Sequence, residues 1–374
     1  MIKNIKQSIT RNLLNLPGWR TKRKIVVIES DDWGSIRMPS REVYDTLLKT
    51  IRVDKLSYNR YDSLASEEDL GALYELLSSV KDKNGKPAII TANTIMSNPD
   101  FDKIRQSHFQ EYYYEPFTET LKRYPKHLHS FEMWQEGMRS GVFRPQFHGR
   151  EHLNVHRWMK ALQNDVGNTR MAFDYGMYDL STSLEISENS FMDALNFESV
   201  DELNLQKKSI QEGLNLFANI FGYKSFSFIA PCYRWSNELN NVLKESGVYA
   251  FQGGWYQLVP NPGKEHKFKR AFHYTGQRNK IDQLYMIRNA SFEPSINPNF
   301  DYVNDTLKRA EIIFRWGKPL VITSHRLNYI GCIDELNRSR NLKLLKDLLD
   351  SLKKRWPEIE FLSSDELGKL IYKD

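Results

Sequence analysis

Short runs of apolar residues recur along the chain, and between them the apolar residues follow helical spacing. The runs predict eight strands, at 24–30, 88–94, 142–148, 226–232, 248–254, 285–291, 319–325 and 358–364. The intervening patterns predict helices near 66–82, 112–124, 131–140, 151–163, 201–221, 237–246, 302–316 and 338–355. Because the strands are almost continuously apolar, we expect a parallel sheet that is covered on both faces.

The alternation of strands and helices indicates an α/β fold, and eight such units favour a barrel over an open sheet. The whole chain of 374 residues is within reach of one α/β barrel with insertions. We therefore predict a single barrel domain over 24–374. It would carry a helical insertion near 95–141 and follow an N-terminal extension over 1–23.

The N-terminal extension is basic and amphipathic. Seven Lys and Arg residues and no acid precede Glu29, and apolar residues lie at helical spacing. These apolar residues are Ile2, Ile5, Ile9, Leu13 and Leu16. Such a helix either lies on an anionic membrane surface or packs against the barrel with its lysines in water. We predict no transmembrane helix and no signal peptide, because no apolar run is long enough.

The net charge of +6 does not indicate a nucleic-acid partner. Outside the extension, basic residues are scattered among acids without forming a stripe, so we expect no nucleic-acid binding. Cys232 and Cys332 are the only cysteines. Two cysteines do not make a disulfide scaffold, and they favour a cytoplasmic location.

Polar clusters follow four of the predicted strands. These clusters are Asp31 with Asp32, His148 with His152, the segment APCYRW (230–235), and Ser324 with His325. In parallel α/β folds the carboxyl ends of the strands meet on one face, and catalytic groups collect there. We therefore expect these clusters to form one site.

Two of the clusters together suggest a metal. Adjacent Asp31 and Asp32 at a buried strand end repel each other unless a cation or a proton intervenes. One Asp with the pair His148 and His152 gives three ligands and leaves a position for water, the pattern of a catalytic zinc site. His156 offers a rival pair with His152. Helix-capping acids and structural histidines are the alternative explanation.

The segments SDDWG (30–34), HGREH (148–152), APCYR (230–234) and TSH (323–325) occur in the order of a known set of motifs. In these motifs the chain resembles the polysaccharide deacetylase family (NodB homology, carbohydrate esterase family 4) over 24–364. The resemblance implies a distorted (β/α)7-type barrel. It also implies a metal-dependent hydrolase that removes N- or O-acetyl groups from glycans.

The resemblance also assigns roles to individual residues. The metal ligands that it implies are Asp32, His148 and His152. It makes Asp31 the general base towards a metal-bound water, which is the nucleophile. It makes the backbone N–H of Tyr233 an oxyanion donor, and His325, titrating near neutral pH, the general acid. Zinc is the expected ion, with nickel, cobalt or manganese as alternatives.

The chain departs from the family at the third and fourth motifs. An arginine that pairs with the base normally precedes the Pro-Tyr element, and here Ile229 or Ala230 stands at that place. Arg37 and Arg234 are the candidates to replace it. The fourth motif, an Asp followed by a Trp, is absent, and Trp255 is the nearest candidate. The residues that we expect to contact substrate are Trp33, Arg37, Arg234, Trp255, Arg326 and Asn328.

We therefore expect a cytoplasmic deacetylase of an acetylated sugar, such as a nucleotide- or lipid-linked intermediate. One alternative is a carbohydrate-binding barrel that has lost catalysis, which the missing arginine favours. Another is a glycosidase with a carboxylate pair. Asp31 and Asp32 serve the glycosidase poorly, because consecutive side chains on a strand point to opposite faces.

Overall fold

The computed structural model describes residues 9–181, 191–263 and 267–374. In chain order the strands are β1 (Lys24–Trp33), β2 (Ile90–Ile95), β3 (Ser97–Pro99), β4 (Tyr114–Pro116), β5 (Phe143–Gly149), β6 (Ser227–Ile229), β7 (Ala250–Gly253), β8 (Tyr256–Pro260), β9 (Phe268–Phe272), β10 (Leu284–Ile287), β11 (Ala290–Ser291), β12 (Leu320–His325) and β13 (Ile359–Phe361). A strand overlaps each of the eight ranges that the apolar runs predicted.

Nine of the strands form one curled sheet in the order β10-β7-β6-β5-β2-β1-β12-β11, with β13 paired to the start of β1. Neighbouring strands in this sheet are parallel. The sheet begins at β10 and ends at β11, so the barrel is open between them. The predicted distorted (β/α) barrel is confirmed. The pairs β3–β4 and β8–β9 form two separate antiparallel ribbons.

Helices connect most of the strands along the chain. They are α1 (Arg41–Leu47), α2 (Ser57–Tyr61), α3 (Glu67–Ser79), α4 (Phe101–Gln106), α5 (Phe117–Lys122), α6 (Ser130–Arg139), α7 (Val155–Gln163), α8 (Thr169–Asp174), α9 (Val200–Phe221), α10 (Asn240–Glu245), α11 (Tyr302–Arg315), α12 (Glu335–Arg355) and α13 (Ser364–Lys373). Within the described ranges, no helix is both long enough and apolar enough to cross a membrane.

The helix predicted over 112–124 is shorter in the structure. Its first part is β4, which pairs with β3, and the helix begins only at Phe117. Pro116 stands directly before that helix, where its missing N–H costs nothing. The segment 95–141 therefore combines three helices with a short ribbon rather than helices alone.

Strand β1 lies in the middle of the sheet and brings the site together. Its apolar start, residues 25–28, is buried on both faces, as the continuous apolar run predicted. Along its length β1 pairs with β12 on one side, in a register that places Asp31 opposite His325. On the other side its second half pairs with β2. Polar residues at the ends of distant strands therefore become neighbours.

The N-terminal extension lies outside the sheet, and β1 begins at Lys24. The extension is helical over 9–14 in the part that the structure describes. Two positions of the predicted apolar stripe, Ile2 and Ile5, lie outside the described residues.

Candidate active site

A cavity of about 300 Å³ opens at the carboxyl ends of the barrel strands. The residues that line it are Asp31, Asp32, Arg37, Leu56, Tyr58, Asn59, His148, His152, Asp179, Met192, Ile229, Ala230, Cys232, Tyr233, Arg234 and His325. The four polar clusters of the sequence therefore each contribute at least one residue to a single cavity.

Both carboxylates of the first cluster face this cavity. The register between β1 and β2 shifts between Ser30 and Trp33, and Asp32 has a φ of 71°. A bulge of this kind breaks the alternation of side chains along a strand, so Asp31 and Asp32 turn to the same side. The expectation that they point to opposite faces is wrong. A left-handed conformation at an Asp costs about 1–3 kcal/mol, which the surrounding structure must offset.

Asp32 lies against two imidazoles. Its Oδ1 is 3.4 Å from His148 Nε2 and 3.5 Å from His152 Nε2, and all three residues are buried. One ligand atom from each lies within 4.8 Å of the other two. Tetrahedral zinc, with bonds of about 2.0–2.2 Å, sets its ligand atoms about 3.3–3.6 Å apart. Asp32 thus meets each imidazole at the spacing that one ion requires.

The chemistry of these three donors also fits a divalent cation. His148 Nδ1 faces the carbonyl oxygen of Ile229 at 2.9 Å, so it carries the proton and Nε2 presents its lone pair. Asp32 Oδ1 and His148 Nε2 are buried and have no hydrogen-bond partner. Burial, opposed by Asp32, lowers the pKa of His152 to about 3 and keeps that ring neutral.

The second histidine reaches the site from a loop rather than from a helix. Helix α7 begins at Val155, because the side chain of Asn154 caps it by accepting from the backbone N–H of Arg157. His152 precedes this cap, so its predicted place in the first helical turn is wrong. His156 is on the helix, more than half exposed, with Nε2 at 3.6 Å from Glu202. The rival pair therefore does not form a site.

Asp31 is held by an arginine. Arg288 donates to both oxygens of its carboxylate at 2.7 Å, and its Nε donates to Glu29 at 2.6 Å. Asn93 donates a further hydrogen bond to Asp31 Oδ1 at 2.8 Å. Burial alone would raise the pKa of Asp31, but Arg288 outweighs it and brings the pKa to about 2. The predicted base is therefore ionised at neutral pH.

Arg288 is the residue that the sequence reasoning missed. It follows β10, whereas the family's arginine belongs to the third motif. Arg37 lies 3.6 Å from Asp32 and 3.7 Å from Asp62, and Arg234 lies 3.4 Å from Asp193, so neither replaces it. One signal was present: Arg288 is the single charged residue of the apolar run YMIRNAS (285–291).

His325 is paired with a carboxylate of its own. Its Nδ1 lies 2.7 Å from Glu293 Oε1, and its Nε2 lies 3.9 Å from Asp31 Oδ2. Burial lowers the pKa of His325, but Glu293, with Asp31 and Asp32, outweighs burial and raises the pKa to about 10. The predicted titration near neutral pH is therefore wrong, and the ring is an imidazolium at pH 7.

Tyr233 lines the cavity, but its backbone N–H serves the turn. This N–H donates to the carbonyl of Ala230 at 3.0 Å, and the φ of Tyr233 is 57°. A donor engaged in a tight turn does not point into the cavity, so the oxyanion role does not fit this N–H. The hydroxyl of Tyr233 instead accepts from Arg288 at 3.3 Å.

Two predicted substrate contacts belong to the interior. Trp33 is 1% exposed, and its ring packs edge-on against Trp134 and Phe143. Arg326 is fully buried and donates two hydrogen bonds of 3.0 Å to Asp62. Neither side chain lines the cavity, because both are packed in the interior of the barrel.

The other four predicted contacts lie in three different places. Arg37 and Arg234 line the cavity, and their contact with substrate stays a prediction. Asn328 is fully buried and donates to Glu293 at 2.7 Å, so it positions the carboxylate that pairs with His325. Trp255 stacks on Phe272 outside the residues that line the cavity.

No protein-family model matches this chain, and no curated protein matches it. Several solved structures similar to it are named as polysaccharide deacetylases or as CE4 family proteins. One, from Mycobacterium smegmatis, has a TM-score of 0.45 and 10% identity, covering 96% of this chain and 93% of its own. A CE4 family pseudoenzyme from Bacillus anthracis has a TM-score of 0.38 and 9% identity, with coverage of 92% and 65%.

A 4-alpha-glucanotransferase from Thermococcus litoralis is also similar, with a TM-score of 0.46 and 9% identity. The match covers 92% of this chain but only 40% of the glucanotransferase. At such identities and TM-scores the likeness carries no conclusion about activity.

Proposed function

We propose that this protein is a metal-dependent deacetylase that hydrolyses N- or O-acetyl groups on a glycan or amino-sugar intermediate. One observation carries the proposal. Asp32, His148 and His152 converge at metal-ligand spacing beside an ionised carboxylate, Asp31, and an imidazolium, His325, in the same cavity. A base, an acid and a cation site within one small cavity are what acyl hydrolysis requires.

The cation, most simply zinc, would supply a Lewis acid that polarises the acyl carbonyl and lowers the pKa of water. The protein's own groups supply the proton transfers. Asp31 accepts the proton of the attacking water, and Arg288 holds both carboxylate oxygens in place. His325 delivers a proton from Nε2 to the departing nitrogen or oxygen, and Glu293 keeps that proton available at neutral pH.

The non-catalytic alternative rested on the missing arginine. Arg288 now makes the contact that the third motif lacks, so that reason for a purely binding protein is removed. A glycosidase needs one carboxylic acid that stays protonated at working pH. In this cavity the pKa of Asp31 is about 2. The pKa of Asp32 also lies well below its usual range although burial opposes this, with the Arg37 cation 3.6 Å away. Neither Asp31 nor Asp32, the pair on which the glycosidase alternative rests, is suited to act as that acid.

We propose only the chemical class of the substrate, an acetylated sugar. Arg37 and Arg234 are the cavity residues that we propose contact the acetylated sugar outside the reacting group. The cytoplasmic location stays a prediction of the sequence.

The decisive experiment combines metal analysis with acetate release from a panel of acetylated sugars. We expect one zinc per chain in the wild type and in His156→Ala, and loss of the metal in His148→Ala. His156 is the matched control because it is a neighbouring but exposed histidine. We expect Asp31→Asn to keep the metal and lose acetate release. Metal binding that survives His148→Ala, or a metal-loaded wild type that releases no acetate from any sugar, contradicts the proposal.

A further inference from the structure

The N-terminal helical segment docks on the barrel through its polar side. Arg11 pairs with Asp305 at 2.5 Å, and the indole N–H of Trp316 donates to Asn12 at 2.9 Å. Beyond the helix, Lys318 donates to three successive backbone carbonyls, those of residues 17–19, at 2.6–2.8 Å. The segment is therefore fixed to the barrel by hydrogen bonds and an ion pair.

Its apolar side faces outward. Ile9, Leu13 and Leu16 are 55%, 58% and 42% exposed. An amphipathic helix that covers a core buries this stripe. Here Leu14 is the one apolar residue among the described residues 9–16 that lines a small cleft, which Trp255 also lines. The orientation is thus the reverse of ordinary core packing, and it leaves an apolar stripe on the surface.

A second apolar surface adjoins the stripe formed by Ile9, Leu13 and Leu16. In the β8–β9 ribbon, Tyr256 and Phe272 are register partners, 49% and 42% exposed. Trp255 joins the two surfaces, because it stacks on Phe272 and lines the same cleft as Leu14. The backbone N–H of Trp19 also donates to Thr275 at 2.8 Å, just beyond the ribbon. We call the exposed residues Ile9, Leu13, Leu16, Tyr256 and Phe272 the apolar ridge.

The chain around the apolar ridge is basic. Among the described residues, 9–28 contain five Lys and Arg and no acid, and 256–263 with 267–272 contain three Lys and Arg and no acid. Arg20, Lys22, Lys269 and Arg270 are exposed. The acids of the neighbouring helix α11 are already paired: Asp305 with Arg11 and Arg309, and Glu311 with Arg315.

We propose that the apolar ridge and its basic flanks bind an anionic lipid bilayer surface. Aliphatic side chains on one face, aromatic rings beside them and Lys and Arg at the edge are the features that hold a protein at the headgroup region. A second copy of the chain fits less well, because facing two such surfaces would bring like charges together. The contact is peripheral and does not depend on the deacetylase proposal.

The test is co-sedimentation of the full-length protein with vesicles of phosphatidylglycerol and phosphatidylcholine, against vesicles of phosphatidylcholine alone. We expect binding to the anionic vesicles that weakens as salt rises. The double variant Leu13→Glu/Leu16→Glu should reduce the partition coefficient by about tenfold or more. Phe272→Glu tests the ribbon independently, and Leu336→Glu is the control, because Leu336 is 78% exposed on α12.

The substituted positions are exposed, so we expect each variant to fold. Thermal melts establish whether it does. The proposal is overturned if the wild type does not prefer anionic vesicles, or if the double variant binds like Leu336→Glu. It is also overturned if analytical ultracentrifugation without lipid shows a dimer that the double variant dissolves, since the apolar ridge would then be a contact between copies.

Discussion

Arg288 donates one hydrogen bond to each carboxylate oxygen of Asp31, at 2.7 Å, across 257 residues of sequence. The pair is buried, and the same guanidinium also binds Glu29. This contact fixes the orientation of the Asp31 carboxylate, which is the proposed general base. It also removes the main sequence-based reason to doubt catalysis.

We predict that Arg288→Lys loses activity without losing the charge. A lysine cannot donate to both oxygens of Asp31 from a fixed plane, so the carboxylate would be free to turn. A misplaced catalytic group costs about 10²-fold in rate. The measurement is kcat for acetate release at equal metal content. The exposed Arg315→Lys, which pairs with Glu311 on α11, serves as the control and should keep full activity.

The pH dependence should change when Glu293 is neutralised. Glu293 raises the pKa of His325 to about 10 against burial, so Glu293→Gln should lower that pKa. The ring would then deprotonate earlier, and the alkaline limb of kcat/KM should move to lower pH. In Glu132→Gln, where an exposed Glu pairs with His129, the profile should stay in place. An unmoved alkaline limb in Glu293→Gln would rule His325 out as the acid.

The raised pKa of His325 in the wild type also affects the stability of the fold. The folded-state pKa of His325 lies above its unfolded value near 6.5, so the ion pair with Glu293 stabilises fully below that pH. This contribution is lost as the pH rises through about 10. Urea unfolding of the wild type and Glu293→Gln between pH 6 and 10 should therefore converge at the alkaline end.

Zinc should stabilise the wild type in a manner that depends on Asp32. A ligand at 100 times its Kd adds about 2.7 kcal/mol to the free energy of unfolding. We expect Tm to rise with added zinc in the wild type and in Asp45→Asn, an exposed position on α1. In Asp32→Asn the rise should be lost. An equal rise in all three proteins would place the zinc elsewhere.

Arg326 should prove structural. Arg326→Met leaves the Asp62 carboxylate buried without its bidentate partner, and breaking such a pair costs about 3–5 kcal/mol of unfolding free energy. Restoring neutrality with Asp62→Asn in the same chain should recover part of that loss. An exposed pair such as Arg315 with Glu311 should cost at most about 1 kcal/mol when Arg315 is replaced. If Arg326→Met instead raised KM at unchanged stability, Arg326 would be a substrate contact.

The strands and helices of the fold could be predicted from the sequence, because apolar runs and helical spacing indicate which residues are buried. The residues of the site could be predicted only in part. Polar residues at strand ends identified Asp31, Asp32, His148 and His325, since parallel strands present their carboxyl ends on one face. Trp33 and Arg326 were misplaced because an aromatic or a charged residue near a site can equally fill the interior, and only packing distinguishes the two.

What the sequence by itself determined was the position of the strands and helices along the chain and the polar residues that follow the strands, since these follow from local patterns. Tertiary structure alone decided the partners: Arg288 for Asp31, Glu293 for His325, and the outward turn of Leu13 and Leu16. Such pairings depend on the register and twist of strands far apart in the chain. The bulge that turns two adjacent carboxylates to one side likewise arises from that register and not from any local pattern.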